Sequence, residues 1–110
     1  MEFKYSYRFT EKAEKDLDEI LKYIKEDLFN PSAAKMFFDK IFEGIDNIRN
    51  FPLSGMLVEN DFLLNKEIRR IVINNYIMYY LANEKQQEIT IVRIVYGKRN
   101  LEDIYRAITD

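Results

Sequence analysis

Any chemistry in this chain proceeds without the two side chains most reactive near neutral pH, because its 110 residues include no histidine and no cysteine. The usual general base, the commonest metal ligand, thiolate nucleophiles and disulfides are therefore excluded. Proton transfer or charge stabilisation would fall to Lys, Arg, Tyr, Asp or Glu. The basic residues that group together lie late in the chain: Arg69-Arg70, Arg93 and Lys98-Arg99. An arginine grips phosphate oxygens through paired N–H bonds and stays charged at any working pH, so such residues suit an anionic ligand. The charge balance divides the same way. Residues 1–64 carry nine Lys/Arg against thirteen Asp/Glu, a balance of −4, and residues 65–110 carry eight against six, a balance of +2. An anionic partner is expected to meet the second half, while the overall net charge of −2 argues against nucleic-acid binding by the whole surface.

Other sites fit less well. The acidic runs Asp16-Leu17-Asp18-Glu19 and Glu26-Asp27 read as the solvated outer face of a helix rather than a metal site. Three glycines leave no glycine-rich phosphate loop, so neither a metal nor a cofactor is expected.

The elements that position these residues follow from hydrophobic period. Glu2 to Phe9 alternates polar and aromatic residues, the pattern of a strand with one buried face. Thr10 suits a helix N-cap. Leu17, Ile20, Leu21, Ile24 and Leu28 then recur at steps of three and four, as in an amphipathic helix. Asn30-Pro31-Ser32 ends it and starts a second helix, whose broad apolar face carries Ala34, Phe37, Phe38, Ile41, Phe42, Ile45 and Ile48 and is expected in the core. Phe51-Pro52-Leu53-Ser54-Gly55 closes the pair, and residues 56–66 read as irregular loop.

From there the composition becomes β-branched and aromatic. Ile68–Ile73 and Tyr76–Leu81 flank Asn74-Asn75, a pair that tolerates the positive φ of a tight hairpin. A polar turn over residues 83–87 leads to a third strand, Glu88–Val95, and Asn100 can cap a short last helix with Leu101, Ile104, Tyr105 and Ile108 at helical spacing. The expected fold is α+β, a single domain over residues 1–110. Two antiparallel helices pack on an antiparallel sheet in the order strand, helix, helix, three strands, short helix. Apolar runs fall far short of the roughly 20 residues that cross a bilayer, and no leader pattern precedes the first strand, so a cytoplasmic location is expected.

Four segments resemble the RelE/ParE toxin superfamily. They are the first helix with Asp16-Leu17 and Ile20 to Ile24, the exit Phe51 to Gly55, the hairpin Ile68 to Tyr80, and the ending Ile94-Val95-Tyr96-Gly97-Lys98-Arg99-Asn100-Leu101-Glu102-Asp103-Ile104-Tyr105. The resemblance implies the toxin of a type II toxin–antitoxin pair, forming a hetero-oligomer with a cognate antitoxin. Its RelE-like branch cuts mRNA in the ribosome; its ParE-like branch blocks DNA gyrase without nuclease activity. The first expectation is ribosome-dependent mRNA cleavage. By the resemblance Arg99 is the phosphate clamp, Tyr105, six residues later, a general base or stacking platform, and Arg70 a further catalytic contact. Lys98, Arg69 and Arg93 would contact RNA. Arg69 and Arg70 are strand neighbours, so only one of them can face a given site.

The sequence departs from the RelE-like pattern at Tyr76, which is followed by Ile77 where that branch carries an arginine. The gyrase-directed branch, and an inactive module that keeps only antitoxin binding, are the alternatives. The antitoxin's toxin-binding segment is expected to be acidic and to lie on residues 65–110 or beside the helix pair.

Overall fold

The computed structural model describes residues 4–58 and 67–97. Strand β1 (Ser6–Phe9) leads into helix α1 (Glu11–Lys22), which continues as a five-residue π-helical segment, Tyr23–Asp27. Helix α2 (Pro31–Asn50) returns antiparallel, and four strands follow: β2 (Met56–Leu57), β3 (Ile68–Ile73), β4 (Tyr76–Asn83) and β5 (Glu88–Tyr96). They form one sheet in the order β1-β5-β4-β3-β2.

The α+β class and the β3-β4-β5 meander are as the sequence pattern implies, with two differences. The sheet is mixed, because β1 lies parallel to β5 with Ser6 opposite Glu88 and Phe9 opposite Ile91. The helix pair carries the chain from β1 at one edge to β2 at the other, and β2, β3 and β4 lead back to β5, the kind of long connection that parallel neighbours require. The second difference is β2, which falls in a stretch read as irregular and pairs Met56 with Arg70 and Leu57 with Arg69. Two residues are too few to display an alternation. The expected C-terminal helix lies outside the described residues.

Both helices begin as their caps dictate. The Thr10 hydroxyl accepts from Ala13 N at 3.1 Å, the Asn30 side chain accepts from Ala33 N at 3.0 Å, and Pro31 occupies the first turn, where its missing N–H costs nothing. Ala13, Leu17, Phe37, Ile41, Ile45 and Ile48 bury their side chains against one sheet face, on Ile73, Met78, Tyr80, Ile89, Ile91 and Ile94. The opposite face is apolar and buried too, through Ile68, Ile77, Tyr79, Val92 and Val95.

Two apolar positions depart from the core expected of them. Leu28 is exposed because the π-helical segment inserts extra residues into the last turn, with Leu28 N bonded to Tyr23 O, and rotates the side chain off the buried stripe. Phe38 is 42% exposed: α2 buries the stripe through Phe37 and Ile41, leaving Phe38 at its edge, packed at a tilt against Phe42 with ring centroids 4.7 Å apart.

The exit from α2 is held from inside. Tyr80, fully buried, donates its hydroxyl to Pro52 O and accepts from Gly55 N, both at 2.9 Å. A Cβ at position 55 would stand 2.5 Å from the Tyr80 hydroxyl and 2.9 Å from Arg70 O. Gly55→Ala is therefore expected to displace either the tyrosine or the strand and to lower unfolding free energy by about 1–3 kcal/mol. Urea denaturation of the purified variant measures it; an unchanged midpoint would show that the exit turn has room to move.

Candidate functional site

Strand alternation separates Arg69 from Arg70. Ile71 and Ile73 pack toward the helices, so Arg69 lies on that face, while Arg70 shares the other face with Ile68. Arg69 Nη1 donates to Leu53 O at 3.2 Å and to Gly55 O at 2.9 Å, tying β3 to the α2 exit. Arg70 Nη2 reaches the Met56 sulfur at 3.4 Å, a weak acceptor, and has no carboxylate partner among the described residues.

Across the sheet Arg70 stands opposite Tyr79, and Tyr79 opposite Arg93. Next to Arg93 the β4–β5 register slips by one residue, since Tyr80 already faces Ile91 and Val92 is the extra residue of a bulge. Arg93 then reaches α1. Its Nε and Nη2 donate to Asp16 Oδ2 and Oδ1 at 2.7 and 3.0 Å, and the side chains are 11% and 13% exposed. Asp16 Oδ2 also accepts the backbone N–H of Ile94 at 3.0 Å. Read from the sequence as part of a solvated acidic run, Asp16 is instead turned inward. The reason is that β1 stops at Phe9 and leaves β5 donors without a strand partner, and α1 supplies a carboxylate in its place.

Lys98, Arg99 and Tyr105 lie outside the described residues. The described chain ends beside them at Gly97, whose N–H donates to Asn75 O at 2.9 Å. The hairpin turn there places Asn74 at φ 55°, as the Asn-Asn pair anticipates, and Lys40 donates to the Asn74 side chain at 3.2 Å.

A cleft of about 620 Å³ opens at this end, between the tip of the helix pair and the β3–β4 turn, lined by Tyr23, Leu28, Phe37, Asn74, Tyr76 and Tyr96. Tyr76 packs between Phe37, centroids 5.0 Å apart, and Tyr96, 5.7 Å away and edge-on. Desolvation raises the Tyr76 pKa, and the neighbouring phenols of Tyr23 and Tyr96 raise it further. Both effects favour the protonated phenol. The sequence reading did not single out this aromatic cleft. Its signal was the register of the last two strands, which brings Tyr76 opposite Tyr96.

The class defined by this fold, a helix pair laid on one face of a mixed five-stranded sheet with Arg69, Arg70 and Arg93 on its inner strands, is that of the RelE/ParE superfamily. The profile of the ParE toxin of the type II toxin–antitoxin system parDE matches residues 7–101, and the chain belongs to that family. No curated protein sequence is a significant match.

Among solved structures, the chromosomal ParDE toxin–antitoxin system of P. aeruginosa is similar with a TM-score of 0.67 at 20% identity, covering 87% of this chain and 99% of that one. The archaeal RelE-RelB complex from Pyrococcus horikoshii OT3 gives 0.61 at 16% identity, covering 88% and 99%. The isolated E. coli RelE toxin gives 0.54 at 14%, covering 93% and 97%. These likenesses are of fold.

Burial raises the pKa of Tyr80 above its ordinary value near 10, against the lowering effects of the Gly55 N–H, Arg69 and Ser54. A pKa higher in the folded than in the unfolded chain means that the folded state holds the proton more tightly. The associated stability is full below about pH 10 and is lost as pH rises through the folded-state value. Urea midpoints measured through the alkaline range are expected to fall above pH 10 and to fall less steeply in Tyr80→Phe. Equal slopes in the two proteins would mean that the Tyr80 proton is not linked to folding.

Proposed function

We propose that the chain is the toxin of a type II toxin–antitoxin pair that acts by binding and blocking a protein target, DNA gyrase, with no catalytic step. The observation that carries this reading is what the arginines of the expected RNA site do. Arg93 is bound bidentately by Asp16, and Arg69 is bound to the carbonyls of Leu53 and Gly55. Turning either toward a phosphate would break bonds that join elements of the fold. Ile77, where the RelE-like pattern has an arginine, is 8% exposed and packed in the second core cluster, so no cation replaces it. Membership of the ParE toxin family supports the same branch.

The partner that restrains this toxin is a cognate antitoxin with an acidic toxin-binding segment, and the positive balance of residues 65–110 supports that placement. One observation favours ribosome-dependent mRNA cleavage: Arg70 has no carboxylate partner among the described residues, and Lys98-Arg99 and Tyr105 follow in sequence.

The deciding experiment adds purified protein to gyrase with relaxed plasmid and, in parallel, to a bacterial translation extract whose message is mapped by primer extension. Loss of supercoiling with an intact message is expected. New 5′ ends inside translated codons, absent from Arg99→Ala, would overturn the gyrase reading in favour of the nuclease. No effect in either assay, with antitoxin binding retained, would make the chain an inactive binding module.

A further inference from the structure

The groove between α1 and α2 carries opposite charges at its two ends. Along α1 and its π-helical extension, Glu14, Asp18, Lys22 and Lys25 recur at steps of three and four on one stripe. Along α2, Ala34, Phe38 and Phe42 recur at steps of four, with Lys35 three residues before Phe38. The helices run antiparallel, so the stripes lie side by side and enclose two hollows. The hollow near the tip, about 480 Å³, has Leu21, Ala34 and Phe38 in its wall and is edged by Lys22, Lys25 and Lys35, with Glu26 as its one acid. The other, about 430 Å³, is built on Leu17, Phe9 and Phe42 and edged by Glu14 and Asp18. The contacting rings of Phe38 and Phe42, tilted 44° to each other, join them into one apolar strip. None of Glu14, Asp18, Lys22, Lys25 and Lys35 has an ion-pair partner among the described residues.

We propose that this strip is a self-association surface, on which a second copy of the chain lies so that the basic end of each copy meets the acidic end of the other. A two-fold axis between Phe38 and Phe42 achieves this: it maps the strip onto itself reversed, and each charge cluster falls on its opposite. From Glu14 to Lys25 the helix rises about 16 Å, so the ends are far enough apart to be matched separately. The two hairpins then form a four-helix layer with the sheets outside, covering the exposed Phe38 ring. Charge decides between occupants. A uniformly acidic peptide would suit the three lysines but would meet Glu14 and Asp18 with like charge, whereas a second copy satisfies both ends.

Sedimentation velocity on the full chain tests this, with circular dichroism of each variant to confirm folding. The wild type is expected to sediment as a dimer in low salt and to dissociate as salt is raised. Phe38→Glu is expected to be monomeric. The charge reversals Glu14→Lys/Asp18→Lys and Lys22→Glu/Lys25→Glu, all at exposed positions, are each expected to weaken dimerisation roughly ten- to a hundredfold. Mixed together they should form a heterodimer, because one then presents cations at both ends and the other anions. A monomeric wild type, or a dimer that survives both reversals unchanged, would overturn the proposal. A monomer whose α1–α2 groove gains hydrogen-exchange protection when the antitoxin is added would assign the groove to that partner instead.

Discussion

Asp16 joins the two layers of the molecule at the place where the sheet would otherwise be incomplete. Beyond Phe9, β5 has no strand on its outer side among the described residues, and α1 takes over from β1 in steps. Thr10 N donates to Ile91 O, the Thr10 hydroxyl donates to Val92 O while capping α1, and six residues later Asp16 accepts the Ile94 amide together with the Arg93 guanidinium. An unpaired backbone donor at such a depth costs about 1–3 kcal/mol, and an unpaired arginine costs more. One carboxylate satisfies both. The bulge at Val92 belongs to the same arrangement, since it resets the alternation that brings Ile94 into the core beside Ile91.

A second constraint acts where the chain leaves α2. Tyr80 and Arg69, both reaching from the sheet toward the helices, bind the carbonyls and the amide of the turn after α2, so the route from α2 to β2 is fixed by strands that come later in the chain. Gly55 is required because the tyrosine hydroxyl occupies the space a Cβ would need. The Pro52 to Gly55 segment, a family signature in the sequence, is here explained as the receiving half of that clamp.

Much of the fold was legible because it rests on local rules. Thr10, Asn30 and Pro31 mark helix starts, apolar residues recur at helical spacing, and Asn74-Asn75 sits between two β-rich runs. What stayed hidden depends on partners distant in the chain. Asp16 looks like any member of an acidic run until β5, nearly eighty residues later, arrives with an unpaired amide. Tyr80 looks like one aromatic among several until the α2 exit turns back over it. The parallel pairing of β1 with β5 and the two-residue β2 are likewise set by tertiary neighbours rather than by propensity. The basic residues of the C-terminal half were visible as charges, but which of them are occupied is a matter of geometry. Arg69 and Arg93 hold the fold together; Arg70 has no carboxylate partner among the described residues.

The functional reading rests on Arg93 being a structural residue, so the energetic coupling between Arg93 and Asp16 is the most direct thing to measure. A double-mutant cycle with Asp16→Asn, Arg93→Gln and the double variant, followed by urea denaturation, should return a coupling of about 2 kcal/mol or more, with each single variant destabilised. Additive losses, or an Arg93→Gln protein as stable as the wild type but without toxicity, would contradict this and return Arg93 to the site that meets the target.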